Sequence, residues 1–119
     1  MKKIISFLLM ICVLLFACSC DFSDTPKFTY SNINLNVEYN SYLGYSAEVT
    51  GQLKNNTNKS YSYVSIEFTI YDENGYNIGT CFDNLSNFGA NETWSFSASY
   101  IGFLDSKPVS CKYKDVTFF

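Results

Sequence analysis

From Ser31 onward, apolar and polar residues take turns with a period of two. Ile33, Leu35, Val37 and Tyr39 alternate with Asn32, Asn34, Asn36 and Glu38. Successive side chains of an extended chain point to opposite faces, so this pattern predicts a strand with one buried and one wet face. A second strand follows, with Tyr45, Ala47, Val49, Gly51 and Leu53 on one side and Ser46, Glu48, Thr50 and Gln52 on the other. Asn55-Asn56-Thr57-Asn58-Lys59 is dense in turn formers and ends it. In the third strand Val64, Ile66, Phe68 and Ile70 share the apolar face, and Asp72-Glu73-Asn74-Gly75 closes it. Gly75 supplies the positive φ that a tight hairpin needs.

The pattern continues through the second half. Tyr76 to Asp83 reads as the returning strand, and Asn84 to Asn91 as a loop with Gly89-Ala90-Asn91-Glu92 as its turn. Trp94, Phe96, Ala98 and Tyr100 form a fifth apolar row. Gly102 to Pro108 interrupts, and Val109, Cys111 and Tyr113 open the last strand. Val116 and Phe118 then fall out of step, which predicts a β-bulge near Asp115. No segment carries a helical stripe. The expectation is an all-β fold, a β-sandwich of about six or seven antiparallel strands over residues 30–119.

The N-terminal residues follow a different rule. Lys2 and Lys3 precede an apolar run from Ile4 to Ala17, interrupted only by Ser6, which stops at Cys18. As a helix that run would span about 21 Å, against the roughly 30 Å of a bilayer's hydrocarbon core. It has instead the length of a signal-peptide apolar region, with small Ala17 before the cut. Leu15, Ala17 and Cys18 fit the order of an exported bacterial lipoprotein signal, while Phe16 stands where a smaller residue is usual. The expectation is a cleaved signal peptide over residues 1–17, a lipidated Cys18, and a polar tether filling out residues 18–29. Cys20 is the rival acceptor. If Cys20 were used, Cys18 would leave with the signal and Cys81 and Cys111 would remain as a pair; if Cys18 is used, Cys20 is an odd thiol. A diacylglycerol group brings two acyl chains, which hold a protein stably where one holds it marginally. The protein is therefore expected at the cell membrane, on its extracytoplasmic side.

Charge and composition then narrow the chemistry. Without Lys2 and Lys3 the chain keeps six lysines against eleven acids, and it has no arginine and no histidine. Nucleic-acid phosphates need cationic neutralisation, so a nucleic-acid partner is not expected. Without an imidazole, Ser-His-Asp and Cys-His catalysis and His-containing zinc sites are excluded. Cys81 and Cys111, about thirty residues apart, lack the close pairing of an all-cysteine zinc site. No metal or cofactor is expected. Asp72-x-Asn74-Gly75 resembles the start of a calcium loop but lacks the further acidic ligands, so it reads as a turn.

Phe68-Thr69-Ile70-Tyr71-Asp72 resembles the motif that names the FxLYD domain, with Ile70 where the motif has leucine. Val49-Thr50-Gly51-Gln52-Leu53-Lys54-Asn55 is similar to the family's V-x-G-x-x-x-N stretch. Asn74-Gly75, Ile78-Gly79-Thr80 and the later row Gly89, Glu92, Trp94 and Phe96 also resemble it. The resemblance covers residues 37–119. It implies an immunoglobulin-like β-sandwich in an exported or surface-anchored prokaryotic protein, with no established catalytic residues. Phe68 and Ile70 would face the core, Asp72 would fold onto the turn amides, and Gly51 would permit close packing or a bulge.

Two groups of side chains are candidates for more than packing. Cys81 and Cys111 can form a disulfide in an oxidising compartment, the alternative being two reduced, buried thiols. Tyr61, Tyr63 and Tyr71 lie on the far side of the third strand from its apolar row, where exposed tyrosines suit protein or glycan contact. The functional expectation is a lipid-anchored, non-catalytic module that binds or scaffolds an unidentified protein or cell-wall partner. The alternatives are an accessory subunit docking on a membrane or cell-wall complex, and a hydrolase using acidic residues. Fatty-acid labelling tests the anchor: Cys18→Ala should abolish incorporation and Cys20→Ala should retain it, whereas persistent labelling of Cys18→Ala would move the acceptor to Cys20.

Overall fold

The computed structural model describes residues 26–119. The expected signal peptide, both candidate acceptors Cys18 and Cys20, and most of the tether lie outside the described residues. Those described form six strands and no helix: β1 (Phe28–Asn40), β2 (Gly44–Asn55), β3 (Tyr61–Tyr71), β4 (Asn77–Phe88), β5 (Thr93–Ser99) and β6 (Ser110–Phe118). All pairings are antiparallel, in the order β1-β2-β5-β4-β3-β6.

The sheet curls into two facing layers, β1-β2-β5 and β4-β3-β6. One residue pair, Phe82↔Ser99, joins them through the backbone. At the seam the Asp83 carboxylate substitutes for missing ladder partners. Its Oδ2 accepts the Ser97 N–H at 2.8 Å and its Oδ1 the Asn84 N–H at 2.8 Å.

The inner faces supply the core. Val49, Leu53, Phe96 and Ala98 of one layer meet Val64, Ile66, Phe68, Ile70 and Cys81 of the other. The rings of Phe68 and Phe96 stack across the layers with centroids 5.5 Å apart. Gly51 makes room for this contact, because a Cβ there would lie 2.7 Å from Phe96 Cζ and 2.6 Å from Ile33 Cδ1. The expectation of close packing at Gly51 therefore holds, and the expected inner row of β3 is buried throughout.

Asn55 behaves differently from the turn residue expected of it. It ends β2 fully buried. Its Nδ2 donates to the carbonyls of Lys59 at 2.8 Å and Gly89 at 2.9 Å. Its Oδ1 accepts from the Thr57 N–H at 3.0 Å and the Thr57 hydroxyl at 2.7 Å. One amide thus uses all its hydrogen-bonding capacity to hold the β2–β3 loop against the β4–β5 turn.

Two expected boundaries move. β1 begins at Phe28, inside the segment expected to be tether, because Phe28 pairs with Asn55 and its ring lies 5.1 Å from Phe118 and 5.4 Å from Tyr61. β4 runs on to Phe88, through residues whose Asn and Ser content suggests a loop. Continuous pairing with β3 overrides that local preference. Asn87, at φ 60°, turns the chain so that Phe88 is buried. The expected bulge is present in β6, where Glu67↔Asp115 is followed by Phe68↔Tyr113 and leaves Lys114 unpaired. β1 carries a second bulge between Ser31 and Asn34, with Asn32 at φ 55°.

Phe68→Ala should cost about 3–5 kcal/mol in urea unfolding, a large part of the roughly 5–15 kcal/mol available to a domain. Asn55→Ala should cost about 2–4 kcal/mol, because the four hydrogen bonds of a fully buried amide are lost together. A loss below about 1 kcal/mol for Asn55→Ala would show that the two loops hold together without it.

Candidate functional site

The strands run end to end, so every loop lies at one of two ends. The chain enters at Phe28 beside the β2–β3 loop (residues 56–60) and the β4–β5 turn (residues 89–92). At this entry end the carbonyls of Pro26 and Lys27 accept from the Asn56 side chain and N–H at 3.2 and 2.8 Å. The far end carries the β1–β2 turn (residues 41–43), the β3–β4 hairpin (residues 72–76) and the β5–β6 loop (residues 100–109).

The three candidate tyrosines do not form one outward patch. Tyr61 is turned to the end of the core, its ring 5.1 Å from Phe118 and 5.4 Å from Phe28. Tyr63 lies against Phe119 at 5.7 Å, and the Lys112 ammonium stands 5.7 Å over the Tyr71 ring. All three are half-buried. Eight residues of extended chain, about 27 Å, separate Tyr63 from Tyr71.

Of the two alternatives for the cysteines, the structure has the reduced one: Cys81 and Cys111 are free thiols, the first buried and the second half-buried. The topology gives the reason. Cys81 on β4 pairs with Phe68 and Cys111 on β6 pairs with Ile70, so β3 lies between them. Two inter-strand spacings amount to about 10 Å, beyond the roughly 4.4–6.8 Å Cα separation a disulfide requires. Burial pushes the Cys81 thiol from its ordinary 9.0 up to about 11, with the neighbouring Cys111 and Glu48 adding to the rise and a backbone hydrogen bond from Tyr100 opposing it. Its Sγ donates to the Ala47 carbonyl at 3.7 Å. Burial raises Cys111 as well.

Opposite the β4–β5 seam, β1 and β6 leave the sandwich without a backbone bridge among the described residues. Aromatic rings close part of this edge, with Tyr30 stacked on Tyr113 at 4.7 Å. Burial, then Asp115 and Tyr30, push the Tyr113 hydroxyl pKa up. Beside the stack is a shallow cleft of about 460 Å³ over Ile33, Phe68 and Cys111. Both edge strands carry a bulge, and β6 adds Lys112 and Lys114; these features disfavour pairing with a further strand.

The hairpin acts as expected, with Gly75 at φ 79° and Asp72 Oδ1 accepting the N–H groups of Asn74 and Tyr76, each at 2.9 Å. Asp72, Glu73 and Asp105 line a cleft of about 370 Å³ together with Lys107. Among the described residues, no group of three His, Cys, Asp or Glu side chains gathers as metal ligands would.

Four exposed apolar residues of the far end were not foreseen from the sequence. Tyr42 and Leu43 sit in the β1–β2 turn, and Ile101 and Phe103 in the β5–β6 loop. The available signal was apolar residues inside segments whose neighbours mark them as turns. Comparison with known protein families, curated proteins and solved structures finds no match to this chain.

Thiol chemistry tests this arrangement. Alkylation after unfolding without reductant should label both Cys81 and Cys111, and a linked peptide pair would contradict the strand order. The raised thiol value favours the neutral form in the folded state. Its stabilising contribution is thus full below pH 9.0 and lost as the pH rises toward about 11. Unfolding midpoints should fall across that window, and Cys81→Ala should flatten part of the fall.

Proposed function

We propose that this chain is a lipid-anchored, extracytoplasmic β-sandwich module of the FxLYD type that binds or scaffolds another envelope component without catalysis. The observation that carries the reading is the opposition of the two ends. The polypeptide enters at one end, and the exposed apolar loop residues sit at the other, a strand length away. A module tethered through its N-terminal residues would hold those loops outward. Thirteen residues of β1 place them about 43 Å from the entry point.

The scaffold suits this role. The paired strands are rigid, and binding surfaces are commonly built on loops that such a scaffold positions. The FxLYD resemblance supports the same reading, since it implies exported proteins without catalytic residues.

Cross-linking on intact cells, followed by identification of what is captured, tests the proposal. A reproducible protein or cell-wall adduct, with no turnover of ester, glycoside or peptide substrates by the purified chain, is the expected outcome. Substrate turnover without any adduct would replace the binding module by an enzyme.

A further inference from the structure

The two ends of the sandwich meet the same folding demands, yet their loops differ in kind. The entry-end loops read Asn56-Thr57-Asn58-Lys59-Ser60 and Gly89-Ala90-Asn91-Glu92. The far-end loops expose Tyr42, Leu43, Ile101 and Phe103, with Tyr42 95% and Ile101 75% accessible. Turn formation needs none of these side chains, and ordering exposed apolar groups in water gains nothing for the fold.

The far-end residues are also held as one surface. The Tyr45 N–H donates to the Leu104 carbonyl at 2.9 Å, and the Leu104 N–H returns to the Tyr45 carbonyl at 2.8 Å. That bridge fastens the β5–β6 loop to the root of the β1–β2 turn. Gly44 permits the approach, because its φ is 106° and a Cβ there would fall 2.6 Å from the Leu104 oxygen. Asn40 Oδ1 accepts the N–H groups of Tyr42 and Leu43 at 2.8 and 3.1 Å, fixing the tip of the turn. A partner would therefore meet loops already ordered, which lowers the entropy cost of binding.

We propose that Tyr42, Leu43, Ile101 and Phe103 form a preorganised docking tip for a protein segment that combines apolar residues with lysine or arginine. This deepens the binding-module reading and rests on it. Charge selects the occupant. Asp72, Glu73 and Asp105 line a cleft with Tyr45, the residue whose bridge to Leu104 holds the two tip loops together, with Lys107 as the cation among them. An acidic rim attracts a basic partner and speeds its encounter. The same rim repels a second copy meeting tip to tip, and it repels an anionic bilayer.

The probe is a random peptide display library, selected on the full anchored chain in detergent. Enriched peptides should carry Lys or Arg beside aromatic or aliphatic residues. They should bind at least tenfold more weakly to a folded Tyr42→Ser/Ile101→Ser double variant, and several-fold more weakly to Glu73→Lys/Asp105→Lys. Enrichment of acidic peptides, or no enrichment at all, would overturn the proposal. So would self-association in sedimentation, or co-sedimentation with phosphatidylglycerol vesicles, if the double variant abolished either. If the double variant bound the selected peptides as tightly as the parent, the tip assignment would fail while the binding-module reading stood. Substrate turnover would instead remove that reading.

Discussion

The two layers of this sandwich share one backbone pair, so their cohesion falls on the side chains between them. Phe68 is the centre of that contact. Its ring stacks on Phe96 of the opposite layer and meets Tyr30 and Tyr113 edge-on at 6.4 and 6.2 Å. Burial of apolar area has no directional preference, but ring contact does. The aromatic contacts therefore set how the layers face each other as well as how strongly they adhere. Gly51 belongs to the same constraint, because any side chain there would push β2 from Phe96 and Ile33.

Polar groups complete what the apolar contact leaves open. Asp83 satisfies the edge of β5 where the ladder stops. Asn55 ties two entry-end loops together from inside the protein. Each supplies a partner to backbone groups that the strand ladders leave unpaired. The Lys114–Glu67 ion pair, at 3.5 Å and solvent-exposed, has little part in this.

Strands were legible wherever one face is buried and the other wet. The rows of β2, β3 and β5 could be read residue by residue, and the slip in β6 announced its bulge. Legibility failed where local chemistry and tertiary pairing disagree. Asn84, Ser86 and Asn87 resemble a loop, yet β3 holds them in a strand. Asn55 resembles a turn residue, although an amide can equally be buried if all its bonds are met. Phe28 resembled part of a tether because the partners that cover it, Tyr61 and Phe118, are distant in sequence. The pairing of the thiols stayed open for a related reason, since spacing along the chain does not reveal that β3 separates Cys81 from Cys111. The exposed far-end residues Tyr42, Leu43, Ile101 and Phe103 were hidden because alternation says nothing about residues between strands.

The facing of the layers places the seam, the separated thiols and the far-end loops together. Proton–proton Overhauser contacts between the Phe68 and Phe96 rings in the folded chain test it most directly. Strong ring-to-ring cross-peaks are expected, given centroids 5.5 Å apart. Their absence in a folded β protein, with Phe96 contacting only its own layer, would contradict the sandwich and all that is built on it.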